Sequence, residues 1–477
     1  MSVKIKIDSF LDERIIEDIS KRISNGILKA GDKLPSVRKL SNDFSVSVST
    51  VIQSYVLLEG LGLIEAKPQS GYYVRYNPGR KLPEPQTLNV QTAIKNYGSD
   101  ELVSNLCEIA NIPNLVSLGA GIPSTSHLPV EKLGSILRKL SNVESGGLKY
   151  EFPPGYRKLR EEIAKRLVEI GINHSVDEII ITNGATEALT ISLQAIAKPG
   201  DTIITECPTY HGVLQIIQNL GMNILEVPTH PKDGVDVEAL KKILRNYKVA
   251  ASVLYPTISN PLGSIMPEEN KKEAYNLFAS KNIPIIEGDV YGELYFGAKR
   301  PRPIKSLDDK GLVLYSSSFS KTIAPGYRIG WVSPGKYYEK VKKMKLMNSL
   351  ATATLPQMVI AEYLKDGGYE RTLRNLRKKY ASNISLISGL VSDSFPEGTK
   401  ISRPEGGFYL WVELPKQVNS IKLQRVALKE NISIAPGPLF STKDCYMNFI
   451  RLSCGCSWSL VIEKVIKRLG ELCKEQM

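Results

Sequence analysis

Lys321 stands in the run Ser316-Ser317-Ser318-Phe319-Ser320-Lys321-Thr322-Ile323-Ala324-Pro325-Gly326-Tyr327-Arg328, directly after the apolar stretch 312–316. A lysine at the end of a buried strand has a depressed pKa, because burial disfavours its charged form, and the neutral amine can form an imine with an aldehyde. Ser320 and Ser318, one and three residues before it, and Arg328, seven after it, supply hydroxyl and forked N–H donors for a phosphate. The chemistry to expect is capture of a phosphorylated aldehyde.

A second phosphate element lies at Asn183-Gly184-Ala185-Thr186-Glu187, where an apolar strand turns into a helix and the first backbone N–H groups form an anion site. Gly119-Ala120-Gly121 has Ser124 where a dinucleotide fingerprint needs its third Gly, so it reads as a turn. Ser318 and Lys321 also make a Ser-x-x-Lys pair, but the Ser-Asp-Asn and Lys-Thr-Gly partners of the β-lactamase pattern are absent from the chain.

These segments need a scaffold, and the chain is long enough to build one. Its 477 residues, 42% hydrophobic and 23% charged, suit about three globular domains and exclude a disordered chain. No stretch approaches the ~18 uninterrupted apolar residues of a membrane span, and no apolar core follows Lys4 and Lys6, so a cytoplasmic protein is expected. Six cysteines without zinc-site spacing predict neither a metal centre nor a disulfide framework. The net charge of +13 permits a nucleic-acid partner without requiring one. From about residue 106, strand-like runs at 178–182, 202–206, 223–227, 251–255, 283–286 and 312–316 alternate with helical ones. Strands apolar on both faces imply a mainly parallel sheet covered by helices.

The first 75 residues read differently. Ile15, Ile19, Ile23 and Ile27 recur at steps of four, the period of an amphipathic helix over 11–27. A short helix follows Pro35, with Ser36 as its cap, and a third opens after Ser45-Val46-Ser47 with Val51, Tyr55 and Leu58 facing inward. A hairpin over 63–75 completes the module as a wing, and the Pro-containing stretch 76–105 reads as a flexible linker. The inward set leaves Ser47, Ser49, Thr50 and Gln53 on or near the outer face of the third helix, where they can meet phosphates and base edges or simply water. Arg38, one helix earlier, can add a phosphate or guanine contact.

Residues 11–75 closely resemble the winged helix-turn-helix of GntR-type regulators, above all in Leu34-Pro35-Ser36-Val37-Arg38-Lys39-Leu40, Ser49-Thr50-Val51 and Leu61-Gly62-Leu63-Ile64 followed by Ser70-Gly71. The resemblance implies binding of double-stranded DNA through Arg38, the third helix and a wing tip at Gln69–Gly71. Residues 1–75 carry 11 Lys+Arg against 9 Asp+Glu, only +2, so a dimer is needed for adequate electrostatic grip.

From about residue 110 onward the chain resembles fold-type I pyridoxal 5'-phosphate (PLP) aminotransferases, an α/β fold with large and small subdomains. The resemblance implies that Lys321 is the lysine linked to the cofactor, and that Ser318, Ser320 and Arg328 hold its phosphate with Ala185 and Thr186. It implies Tyr210 stacked on the pyridine ring, Asn260 and Tyr291 at the phenolic oxygen, Arg451 on a substrate carboxylate, and Tyr150 reaching the neighbouring subunit's phosphate. One position departs from the pattern. The family's Asp-x-x-Tyr, counted back from Tyr291, puts Gly288 where a carboxylate keeps the pyridine nitrogen protonated. Strand alternation points Glu287 and Asp289 to the opposite face unless the strand is bulged.

A winged helix over 1–75, a linker over 76–105 and an aminotransferase-like domain over 106–477 together resemble MocR-type transcriptional regulators. That resemblance implies a homodimer in which a small amine or amino acid acts at Lys321 and alters DNA binding. A working aminotransferase with a vestigial N-terminal module stays open beside it: Gly288 argues against that reading and Arg451 for it.

Overall fold

Helix α1 covers Ile5–Ser24, and its period of four buries Ile15, Ile19 and Ile23, whereas Ile27 lies beyond the helix end and is 67% exposed. The computed structural model describes residues 5–24, 27–29, 31–60, 63–67, 70–74, 82–88, 94, 108–109, 112–141, 147–443 and 445–477. Helix α2, Val37–Asp43, starts where the Ser36 side chain accepts the Lys39 N–H, as the sequence predicts. Helix α3, Val48–Gly60, turns Val51, Tyr55 and Leu58 into the same core. Strands β1, Ile64–Lys67, and β2, Gly71–Val74, pair antiparallel from Ile64↔Val74 to Lys67↔Gly71. Tyr55 locks the wing to the helices: its hydroxyl donates to the Pro35 carbonyl at 2.6 Å and its ring lies 4.6 Å from that of Tyr72.

The second body is built on an eight-stranded sheet. In chain order its strands are β3 (Ile180–Thr182), β4 (Thr202–Cys207), β5 (Asn223–His230), β6 (Gly234–Val235), β7 (Ala251–Leu254), β8 (Ile285–Gly288), β9 (Val313–Ser318) and β10 (Gly330–Ser333). Their spatial order is β3-β10-β9-β8-β7-β4-β5-β6. The run from β9 to β5 is parallel, and β10 and β6 pair antiparallel with their neighbours. Alternate side chains enter different cores: Ile203, Ile286 and Leu314 join one, Ile204, Ile285 and Val313 the other. That two-sided burial is why the strand segments read as continuous apolar runs.

A smaller sheet of β11 (Lys400–Ile401), β12 (Tyr409–Glu413), β13 (Ala435–Pro436) and β14 (Phe449–Ser453), in the order β11-β12-β14-β13, packs with the helices Gly368–Ser394 and Leu460–Lys474. Part of the stretch expected to be a flexible linker is packed. Residues 82–88 lie along this body, with Leu82 buried, the Pro83 carbonyl accepting the Ile401 N–H at 3.0 Å, and Glu84 2.9 Å from Arg403. Leu82 and Leu88 bury apolar surface there, a gain that proline content alone does not reveal.

Candidate functional site

The carboxyl ends of the parallel strands converge on a cavity of about 380 Å³. Ala185, Thr186, Tyr210, Asn260, Tyr291, Ser318, Ser320, Lys321, Arg328 and Arg451 all line it, so ten residues singled out from six separate stretches of sequence meet at one place. Tyr150 does not: it is 69% exposed and stacks on Phe152.

Lys321 follows β9 by three residues, and its Nζ donates to the Gly121 carbonyl at 2.6 Å. Burial, then the charges of Arg451 and Arg328, push its pKa down to about 8. Gly119-Ala120-Gly121, read from the sequence as a turn, therefore forms part of the cavity wall. Helix α4, Gly184–Ile196, begins at the same wall, and its first N–H groups, those of Ala185 and Thr186 among them, have no intrahelical acceptor. Gly184 has φ +80°, and a Cβ there would lie 2.5 Å from Arg328 Nη2. Arg328 itself reaches Ser320 Oγ at 3.3 Å. A helix start, two hydroxyls and a guanidinium thus face one volume, a donor set that fits a phosphate dianion.

Arg451 comes from the smaller sheet. It sits on β14 opposite Trp411 and Ala435, is 1% exposed, and donates to Asn260 Oδ1 at 3.0 Å and to the Gly119 carbonyl. Its Nε is buried without a hydrogen-bond partner among the described residues, an orphaned donor of the kind a carboxylate ligand satisfies. The Tyr291 and Tyr409 hydroxyls are 2.6 Å apart, and burial holds the Tyr291 phenol neutral with its pKa well above the usual value. Phosphate donors, a reactive lysine and an aromatic wall fit PLP, which when bound supplies the aldehyde carbon and a ring able to accept electrons.

Neither acidic neighbour of Gly288 turns toward this cavity. The strand is not bulged: Leu314↔Ile286, Tyr315↔Glu287 and Ser316↔Gly288 pair in regular register. Glu287 accepts the N–H groups of Ile304 and Lys305, both at 2.8 Å. Asp289 accepts from Arg300 at 2.8 Å and from the Tyr315 hydroxyl at 2.7 Å. The sequence reading missed Tyr255, His211 and Tyr409, which also line the cavity. Tyr255 and Tyr409 lie in apolar runs that look like packing. His211 is held neutral, with a pKa down to about 3, by burial and then by Arg451.

In the N-terminal module, Arg38, Ser49 and Gln53 are exposed. Ser47 accepts the Thr50 N–H at 3.1 Å as the cap of α3, and its hydroxyl also meets Ser49 Oγ at 2.7 Å. Thr50 departs from expectation. It is 5% exposed and its hydroxyl lies 2.8 Å from that of Ser47, because the helical period turns position 50 inward beside Val51 and Ser54. Gln69 lies outside the described residues, and Gly71 opens β2 with φ +109°. Val48 and Ile52, 46% and 44% exposed, add to the outer face apolar groups of the kind that meet thymine methyls. Their spacing of four was the signal available.

Residues 113–469 match the family "Aminotransferase class I and II", and residues 11–74 match "Bacterial regulatory proteins, gntR family". The chain is 37% identical over 457 residues to the Uncharacterized HTH-type transcriptional regulator YjiR of Escherichia coli, covering 95% of this chain and 96% of the relative. The chain belongs to the MocR-type transcriptional regulators. The HTH-type transcriptional regulator NorG of Staphylococcus aureus is 29% identical, over 88% of this MocR-type chain and 95% of the relative. Among solved structures, kynurenine aminotransferase of Pyrococcus horikoshii, in complex with PMP, superposes with a TM-score of 0.73 and 30% identity. That match spans 80% of the MocR-type chain and 95% of the enzyme. LysN of Thermus thermophilus, complexed with N-(5'-phosphopyridoxyl)-L-leucine, gives a TM-score of 0.73 at 27% identity, over 79% and 95% of the two chains. The gntR-type head makes the MocR-type chain a DNA-binding protein, and among its described residues no helix is long and apolar enough to cross a membrane.

Proposed function

We propose that this regulator carries PLP on Lys321 and senses a small amine or amino acid that takes the lysine's place on the cofactor, changing how a homodimer grips DNA in the cytoplasm. The observation that carries the reading is the cavity itself: a lysine of lowered pKa, a phosphate cradle and Arg451 converge on it in a chain that begins with a DNA-binding head. In this scheme Ser318, Ser320, Arg328, Ala185 and Thr186 bind the phosphate, while Tyr210 packs on the ring. Asn260 and Tyr291 hold the phenolic oxygen, and Arg451 takes the effector's carboxylate. Tyr150, exposed on its own chain, is available to a second copy. The test is an absorbance titration of the PLP-loaded protein with a panel of amines, run beside DNA binding. A spectral change without any change in DNA affinity would remove sensing from the scheme.

A working aminotransferase with a vestigial head is the second reading, favoured by Arg451 and the otherwise complete cavity. The commitment of Glu287 and Asp289 to other partners weighs against it.

Two further outcomes follow. Because Lys321 has a pKa of about 8, its neutral fraction rises about tenfold per pH unit below that value and levels off above it. Covalent uptake of PLP should accelerate in the same way between pH 6 and 8, as stopped-flow absorbance would record. On the head, Arg38→Ala should weaken DNA binding by about 1–3 kcal/mol if the arginine reads a guanine. A gel-shift titration at fixed salt measures it, and undiminished binding would move the docking face elsewhere.

A further inference from the structure

Strands β7 and β8 run side by side in the register Val253↔Ile286 and Leu254↔Glu287, so the next residues along each strand, Tyr255 and Gly288, are neighbours. They share the face of Val253 and Ile286, the side of the sheet that carries the cavity's core. The contact is close. A Cβ built on Gly288 would collide with Tyr255 Cε1 and lie 2.6 Å from its Cζ and 2.8 Å from its Cδ1. The volume that a side chain at 288 would need is already filled by the phenol ring of Tyr255, and Tyr255 lines the cavity. Gly288 is thus not simply a lost carboxylate, because the glycine is what allows the tyrosine to stand there.

We propose that Tyr255 replaces the missing carboxylate as the group facing the pyridine nitrogen of bound PLP, and that it leaves this nitrogen unprotonated. The proposal rests on the PLP reading above. In pyridoxal the ring nitrogen is para to the aldehyde carbon, so with that carbon on Lys321 the nitrogen points to the opposite wall. A carboxylate on that wall stabilises a pyridinium. A neutral phenol does not, since it is a far weaker acid than pyridinium and can only donate a hydrogen bond to the nitrogen lone pair. The surroundings agree. Burial, then Tyr210 and Glu206, raise the pKa of Tyr255 well above that of a free phenol. Glu206, buried on the neighbouring strand, has its own pKa raised to about 8 by burial and is mostly uncharged at neutral pH. His211 is neutral, and Arg328 and Arg451, the arginines lining the cavity, oppose a further positive charge. An unprotonated ring draws electrons weakly. Exchange of amines at Lys321 then proceeds while removal of a bound amino acid's Cα proton is slow, the balance a sensor requires.

The test uses the full-length protein loaded with PLP labelled with ¹⁵N in the ring. Its nitrogen resonance should sit at the unprotonated position and stay there from pH 6 to 8. In Gly288→Asp/Tyr255→Ala, where the smaller residue makes room for the carboxylate, the resonance should move to the protonated position. Exchange of the Cα hydrogen of a bound amino acid for deuterium should quicken at least tenfold. Gly288→Asp alone should not achieve this, because Tyr255 occupies the space. A protonated nitrogen in the wild-type protein overturns the proposal whether or not the double variant folds. Failure to take up PLP covalently at all would instead overturn the cofactor reading.

Discussion

Lys321→Ala should abolish the visible absorbance band of the PLP-loaded protein completely, while leaving the phosphate cradle able to hold the cofactor by non-covalent contacts. The lysine is the one amine that lines the cavity, and its Nζ meets only the Gly121 carbonyl among the described residues. Removing it costs no ion pair and opens no sealed core, so the variant should fold and keep its far-ultraviolet circular dichroism. Dialysis then separates the two contributions, since the covalent link holds PLP in the parent and only phosphate and ring contacts hold it in the variant. Amines added to Lys321→Ala should no longer change DNA affinity through exchange. A band that survives the substitution would mean that another nucleophile carries the aldehyde.

Arg300→Met should destabilise the aminotransferase-like body by roughly 3–5 kcal/mol, because it strands a buried carboxylate. The Asp289 side chain is 0% exposed and that of Arg300 12% exposed, at 2.8 Å, with the Tyr315 hydroxyl as the third member. Arg300 also reaches Glu293 at 3.1 Å, so the arginine ties β8 to the short helix after it. Asp289→Asn combined with Arg300→Met removes both charges and should recover most of the loss. Thermal midpoints of the three proteins measure the effect. Equal midpoints for parent and Arg300→Met would mean that water reaches Asp289. The same arrangement accounts for why Asp289, one residue from the expected position, is no substitute for a carboxylate at 288: its Oδ2 is held by Arg300 and Tyr315, and the regular strand register turns its side chain away from the cavity.

Local pattern was enough to read much of this molecule. The period of four in α1, the Ser36 cap and the alternation of apolar runs with helices are short-range features, written within a few residues of where they act. The Lys321 and Asn183–Glu187 segments were legible for the same reason, since a strand end followed by small, hydroxyl and cationic residues is a local arrangement. Long-range placement was not legible. The antiparallel strand β10 carries Gly330, where a Cβ would lie 2.6 Å from the Gly184 backbone, and nothing in its own sequence shows that it separates β9 from β3. The inward set Val51, Tyr55 and Leu58 left Thr50 on or near the outer face, yet one helical step turned its hydroxyl onto Ser47. Arg451 reads singly as a surface charge, and only the packing of the small sheet against the large body buries it against Asn260. Tyr255 is the clearest case. A tyrosine before Pro256 is ordinary in sequence, and its meaning depends on β7 lying beside β8 in a register that sets its ring on Gly288. Side-chain type and spacing along the chain fixed which chemistry was available. Pairing between distant strands decided which groups meet, because contacts between segments far apart in sequence depend on the whole sheet closing around its core.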